Sequence, residues 1–334
     1  MIDSLDSINL SFKENFAKVF KKPELIQPFL TKRANKFDEI IKKEFLRRKL
    51  ETDFAIVALG GYGRKELFPS SDIDLSIIQF NPKTKKIEDI KDFIGWLWTL
   101  KVKVGHSVRR IKDIESIAKS DLKEFTSYLS YRIIFCNKDK ITSLNNNLKN
   151  ISKKWNKTKF FKAKQIEQNQ RFQSFDSTEF SLEPDLKESP GCLRDFQTAF
   201  WILEHCFEIK KLQDCVTAKM FSKKEIASIN ESYAHIKTLR FFINLESSTN
   251  RISFENQLLL AKKAKLKASK KSSAVEKFMR TFFLHASNLS DFNELVFQAY
   301  DDQLTLLKRP YTKNYYIFKD RLGIAESIDL SNKP

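Results

Sequence analysis

The sequence predicts an α+β fold: a small strand-bearing unit at roughly residues 50–110, then a mostly helical domain. Three observations carry this. Residues 53–59 (DFAIVAL) and 72–80 (DIDLSIIQF) are apolar runs of strand length bounded by turn residues. Residues 102–108 alternate, with Val102, Val104, His106 and Val108 on one side. From about 110 onward strand signals fade and apolar residues recur at helical spacing.

In chain order, residues 5–50 carry helical spacing, as at Ile40, Ile41, Phe45 and Leu46, and Pro23 and Pro28 break them into at least two helices. The 53–59 strand ends at Gly60-Gly61, the loop GGYGRKELFPSS follows, and 72–80 forms a second strand that Asn81-Pro82 turns. Residues 86–100 set Ile87, Ile90, Ile94, Leu97 and Leu100 on one helical face. Residues 111–175 read as helical, with a polar junction near 137–157. Residues 176–192 form an irregular segment with Pro184, Pro190 and Gly191. A helix then places Leu193, Phe196, Phe200, Leu203 and Phe207 at helical spacing, and helix continues to about 305. Trp96, Trp98 and Trp201 fit helix core faces, and His106 reads as a partly buried strand histidine. There is no internal repeat.

The 334 residues are ample for a core, and 41% hydrophobic with 31% charged is the balance of a soluble globular protein. Apolar runs such as Phe54–Leu59 are too short to cross a bilayer. The N-terminal MIDSLDSINLSFKE lacks the basic-then-apolar order of a signal peptide. Cys136, Cys192, Cys206 and Cys215 form no CxxC pair, so a cytoplasmic protein with reduced thiols and no membrane contact is expected. The net charge of +18, from 60 Lys+Arg against 42 Asp+Glu, suits nucleotides, nucleic acid or acidic partners. AT-rich coding gives the same excess, and 30 Phe against 7 Gly points that way. Under that bias glycines carry information, and Gly60, Gly61 and Gly63 fall within four residues. The lysine run in 261–271 (AKKAKLKASKK) reads first as a solvated helix face and second as a surface for nucleic acid or an acidic protein.

The strongest chemical signal is strand, Gly-Gly turn, then Asp72-Ile73-Asp74 opening the next strand. Side chains alternate along a strand, so Asp72 and Asp74 share one face while Ile73 and Leu75 take the other. Two adjacent carboxylates repel, and Mg²⁺ (or Mn²⁺) held with substrate phosphates relieves that repulsion. A Gly60-Gly61 backbone can approach a triphosphate closely, Arg64 can fork onto phosphate, and Ser71 can cap the turn or reach a phosphate oxygen. A lone DxD is usually a solvated turn and a lone Gly-Gly a tight turn. Their conjunction between two apolar runs is what points to nucleotidyl transfer. No GxxxxGK[ST] is present, and Gly61-x-Gly63 lacks the third glycine of a dinucleotide fingerprint.

GGYGRKELFPSSDIDL (60–75) resembles the nucleotidyltransferase signature of the bacterial PII uridylyltransferases, which are bifunctional uridylyltransferase/uridylyl-removing enzymes. VGHSVRR (104–110) and LEPDLKESPGCLRDFQTAFWI (182–202) resemble later segments of that family in the same order, and the likeness covers roughly 45–300. The resemblance implies a DNA polymerase β-like nucleotidyltransferase domain with a mixed sheet at 51–140. N-terminal helices at 1–50 would precede it, and a helical domain of the PII-uridylyltransferase type at 141–310 and a tail at 311–334 would follow. It implies transfer of UMP from UTP to a tyrosine of PII with release of pyrophosphate. Asp72 and Asp74 match the catalytic, metal-binding carboxylates, and Gly60, Gly61 and Arg64 the nucleotide-binding turn. Lys187, Arg194 and Asp195 match polar positions of the linker segment.

There are departures. Lys65, Thr99, Lys101 and Cys192 replace residues usual in the family: Gly, Asp, Gly and Gly. A positive φ at position 192 would strain Cys192. No later strand offers a third carboxylate, and Asp121 is the weak candidate. His106, His205, His235 and His285 are not followed by Asp, so an HD hydrolase that removes UMP is not expected within these residues, nor are ACT sensor domains. Two alternatives stay open: a catalytically decayed nucleotide-binding regulator, and a nucleotidyltransferase acting on RNA or another protein.

Overall fold

The computed structural model describes residues 2–100, 102–175 and 180–304, together with the backbone of three short strands within 309–324. Helices α1 (Ile2–Lys21) and α2 (Ile26–Arg47) open the chain, joined by a 3-10 turn at Pro23–Leu25. Pro23 starts that turn as expected, but Pro28 breaks nothing. It is the third residue of α2, where a backbone N–H has no intrahelical acceptor to lose.

Next come β1 (Phe54–Ala58), the single turn α3 (Gly60–Gly63), β2 (Ile73–Gln79), α4 (Ile87–Trp98) and β3 (Val104–Arg109). Then follow α5 (Ile111–Ala118), α6 (Leu122–Leu129), β4 (Arg132–Phe135), α7 (Lys138–Ile151) and α8 (Lys157–Gln173). After the irregular linker run α9 (Leu193–Cys206), α10 (Asp214–Thr217), α11 (Lys223–Glu246), α12 (Phe254–Lys263) and α13 (Ala274–Leu304). Three antiparallel strands, β5 (Arg309–Pro310), β6 (Tyr315–Phe318) and β7 (Arg321–Ile324), follow. Strand β4 was not anticipated. Its four residues, Arg-Ile-Ile-Phe, lie between helical patterns, and a run that short has no period to read.

The fold is α+β. The sheet order is β3-β2-β1-β4, with β1 antiparallel to both neighbours and β2 parallel to β3. Strand β1 is buried on both faces. Phe54, Ile56 and Ala58 meet α2 and α4 through Phe37, Ile41, Phe45, Phe93 and Leu97. Ala55 and Val57 face the opposite core, which holds Phe125, Tyr128 and Leu144 and continues into the helical domain. Helix α1 belongs to that helical core: Phe12 packs on Phe241 and Phe16 on Phe242 of α11, each with ring centroids 4.3 Å apart. Helix α2 bridges the two cores, with Leu30 in one and Phe37 in the other.

Two side chains differ from expectation. His106 is exposed, because β3 is the sheet edge, and Trp98 is 63% exposed with its ring centroid 5.7 Å from that histidine. All four cysteines are buried and free. Among the described residues no helix is long and apolar enough to cross a membrane.

Ser76 of β2 is fully buried, and its hydroxyl is satisfied by the 2.7 Å hydrogen bond with the Tyr128 hydroxyl of α6. Tyr128→Phe is therefore expected to lower stability by about 1–2 kcal/mol in urea unfolding. Adding Ser76→Ala should recover part of the loss, because no orphaned hydroxyl then remains.

Candidate active site

The site grows out of one face of β2. Ile73, Leu75 and Ile77 point into the core under α2 and α4. The alternate positions run Ile78, Ser76, Asp74, Asp72: buried at one end, open to solvent at the other. Both carboxylates thus stand at the mouth of the sheet on the floor of a cleft. Among the described residues no hydrogen bond or ion pair reaches either carboxylate. Burial at the cleft floor and the neighbouring Asp72 charge raise the Asp74 carboxyl above its ordinary range, and the Lys187 ammonium opposes them.

Backbone space is matched to Asp74. Gly105 pairs with it across β3, and a Cβ at position 105 would lie 2.6 Å from Asp74 Oδ1. Gly60 adopts φ +53°, which turns the chain from β1 into α3 beside Asp74 Oδ2. The Leu59 amide donates to the Asp74 carbonyl at 3.0 Å, tying the turn to the strand.

The rest of the loop is held by Glu66. This carboxylate is 7% exposed and accepts hydrogen bonds from Arg64 Nε at 2.9 Å and from the Tyr233 hydroxyl at 2.7 Å. Lys237 Nζ lies 3.5 Å from it. Burial pushes the Glu66 pKa up, but Lys237 and Arg64 outweigh burial and hold it at about 2. Arg64 also donates to Ser130 Oγ at 3.3 Å, so its guanidinium lines the cleft already engaged. Ser70 Oγ donates to the Asn244 carbonyl at 3.3 Å, and Ser71 lies at the cleft wall.

The opposite wall comes from the helical domain. Lys164 and Glu167 of α8, Lys187 of the linker, Arg194, Gln197 and Trp201 of α9 and Arg240 of α11 line the cleft, whose volume is about 530 Å³. Lys103 and Lys123 join from the sheet side. Arg194 forks onto Glu188 at 3.1 and 3.3 Å, and the same carboxylate lies 3.3 Å from Lys187. One acid therefore holds two cations, and the wall stays positive. Arg240 lies 4.2 Å over the Phe68 ring, and desolvation pulls its pKa down to about 10.

The structure brings together Gly60, Gly61, Arg64, Ser71, Asp72, Asp74, Lys187 and Arg194 in this cleft. It does not bring Asp195 or Asp121. Asp195 is fully buried, accepting from the Gly191 amide at 2.7 Å and from Arg171 at 2.5 Å, so it fixes the start of α9. Asp121 is exposed and caps α6 by accepting from the Glu124 amide at 2.9 Å. Among the described residues no group of three or more His, Cys, Asp or Glu side chains forms a metal cage. Cys192 escapes the expected strain: Gly191 takes the positive φ of +73°, and Cys192 is extended at φ −103° as the residue preceding α9. Lys65 does carry strain, at φ +58° just past α3, where a glycine would sit freely. Thr99 ends α4 in ordinary helical geometry, and Lys101 lies outside the described residues.

Glu66, Lys103, Lys123, Lys164, Gln197, Trp201 and Arg240 were not singled out for the site. Only Glu66 had a local signal, its place two residues after Arg64 in the signature. Trp201 does pack in the core as its spacing indicates, and it also lines the cleft.

Residues 39–157 match the family model of a nucleotidyltransferase domain, and residues 159–297 that of GlnD PII-uridylyltransferase. The chain belongs to the PII-uridylyltransferase family. It is 32% identical over 306 residues to the bifunctional uridylyltransferase/uridylyl-removing enzyme of Hydrogenovibrio crunogenus, covering 87% of this chain and 34% of that protein. The enzyme of the same name from Pseudoalteromonas translucida is 33% identical over 306 residues, covering 90% and 34%. That of Haemophilus influenzae (strain PittEE) is 32% identical over 289 residues, covering 84% and 33%. The chain spans about a third of the length of these curated relatives. Its two matched regions meet near residue 158, and the cleft is lined from both sides of that junction.

Glu66 gives this family member a stability signature. Its folded pKa is held at about 2 against an ordinary 4.5, so its stabilisation is present above pH 4.5 and is lost as pH falls toward 2. Glu66→Gln is expected to cost about 3 kcal/mol at neutral pH, because it leaves the buried Lys237 and the half-buried Arg64 without their shared counter-charge. The gap between variant and wild type should narrow below pH 4.5 in acid-dependent urea melts.

Proposed function

We propose that this chain is a Mg²⁺-dependent nucleotidyltransferase that moves UMP from UTP to a tyrosine hydroxyl of the PII signalling protein. The carrying observation is the single cleft in which Asp72 and Asp74 face a wall of cations. The bifunctional uridylyltransferase relatives support the uridylyl group, and the GlnD PII-uridylyltransferase match supports PII as acceptor.

The donor set fits a hard divalent cation. Asp72 and Asp74 offer carboxylate oxygens alone, and Gly105 leaves Asp74 Oδ1 the room that a side chain would fill. These two residues would hold Mg²⁺ (or Mn²⁺), which when bound neutralises charge on the phosphate oxygens and acidifies the attacking hydroxyl. Gly60 and Gly61 let the backbone come close to the polyphosphate. Arg64, locked by Glu66 and Ser130, positions that turn. Lys187, Arg194 and Arg240 face the negative charge that gathers as pyrophosphate leaves. In the transfer, the tyrosine oxygen bonds to the α-phosphorus, the bond to the pyrophosphate oxygen breaks, and the hydroxyl proton goes to solvent. Most of the acceleration on this account comes from positioning and fixed charge.

Of the substitutions that suggested decay, Thr99 and Cys192 sit in ordinary backbone geometry, which supports an active site over a remnant, while Lys65 keeps its positive φ of +58°. An RNA acceptor is the second reading, favoured by Lys262, Lys263, Lys265, Lys267, Lys270 and Lys271, all exposed.

Pyrophosphate release from UTP, Mg²⁺ and PII is expected with wild type. It should fall at least about 100-fold in Asp72→Asn, the scale of losing a charge-stabilising group. Equal rates in the variant, or no release from any nucleoside triphosphate, would sink the reading. Release stimulated by RNA with a steep salt dependence, and indifferent to PII, would move the acceptor to RNA.

A further inference from the structure

Lys164 is a cleft residue whose donors the fold leaves mostly unused. Its side chain is 2% exposed, yet it reaches the cleft. It donates to Glu167 Oε2 at 2.8 Å, and its ammonium lies 4.5 Å from the Trp201 ring centroid. Glu167 is 40% exposed, so water screens much of its charge. An ammonium carries three N–H donors. Among the described residues the other two meet no hydrogen-bond acceptor. Arg194 sits 5.8 Å from the same indole ring, so Trp201 has two cations against it. Desolvation lowers the Lys164 pKa and Glu167 resists this, while the Arg194 and Arg171 charges lower it further. A buried cation among cations, open on its cleft side, is arranged for an anion.

We propose that Lys164 binds a phosphate oxygen of the nucleotide's polyphosphate chain, so that the helical domain supplies part of the phosphate site. This rests on the nucleotidyltransferase reading above. Phosphate oxygens would satisfy the two open donors. The Trp201 ring excludes water from one side of the contact, which strengthens it. The Glu167 hydrogen bond and the Trp201 ring account for one donor and one face of the ammonium, and a methionine of similar volume would fill the position without burying a charge.

Inorganic tripolyphosphate is the probe, titrated calorimetrically into wild type, Lys164→Met and the exposed α8 control Lys162→Met. Affinity should fall about ten-fold or more in Lys164→Met and stay within about two-fold in Lys162→Met. Lys164→Met should melt at or above the wild-type temperature. If it fails to fold, Lys164→Gln removes the charge while keeping a hydrogen bond to Glu167, and the same loss is expected. With UTP, the apparent KM should rise about ten-fold, more than kcat falls. Unchanged tripolyphosphate affinity in the folded variant, or no tripolyphosphate binding by wild type, overturns the proposal. If wild type binds tripolyphosphate through Lys164 but transfers no nucleotide, the transferase reading fails and the anion site stands. If transfer is robust and Lys164→Met is indifferent, the anion site alone fails.

Discussion

The buried charge on Glu66 is the constraint on which the rest of the cleft depends. A carboxylate removed from water must be paired, and its partners come from both halves of the molecule. Arg64 belongs to the glycine turn, while Tyr233 and Lys237 belong to α11 of the helical domain. The glycine turn that lines the cleft is therefore docked onto the helical domain by the same residue that locks its arginine. Ser70 on Asn244 and Arg240 over Phe68 repeat that connection on either side of the cleft. Together with the shared core these contacts set the distance between the cationic wall and the two aspartates.

From that anchor the chemistry follows from strand geometry. Strand β2 alternates apolar residues into one core, and its other face passes from Ile78 through the satisfied Ser76 hydroxyl to two open carboxylates. The strand thus carries a gradient from oil to water along one face, and the acids sit where solvent and ligand enter. Gly105 on the adjoining strand preserves the opening. The helical domain meets this floor with cations that share too few acids, so the cleft holds an excess of positive charge beside its paired carboxylates. That combination suits a polyphosphate with a divalent cation better than either alone.

The floor was legible in the sequence because it is local. Two apolar runs, a glycine cluster and an Asp-x-Asp lie within residues 53–80, and period-two geometry turns the spacing into a shared face. The wall was only partly legible. Lys187 and Arg194 were reached through resemblance, but Lys164, Gln197, Trp201 and Arg240 come from three helices far apart in the chain, and no short pattern joins them. Asp195 shows the opposite failure: a polar residue in a telling motif proves to be buried structure, holding Gly191 and Arg171. His106 and Trp98 were misjudged because spacing shows a face but not whether another layer covers it, and β3 is an edge. Pro28 and β4 were lost to position and brevity, which periodicity cannot resolve.

Locating the cation tests directly whether Asp72 and Asp74 hold a metal. Crystals of the protein grown with Mn²⁺ and a non-hydrolysable UTP analogue would be measured for anomalous scattering from manganese. A peak is expected at coordination distance, about 2.1 Å for a hard octahedral ion and slightly longer for manganese, from carboxylate oxygens of both Asp72 and Asp74. The polyphosphate should run from there toward Lys187 and Arg194. A nucleotide bound in the cleft with manganese away from both aspartates, or a nucleotide seated elsewhere on the molecule, would contradict it.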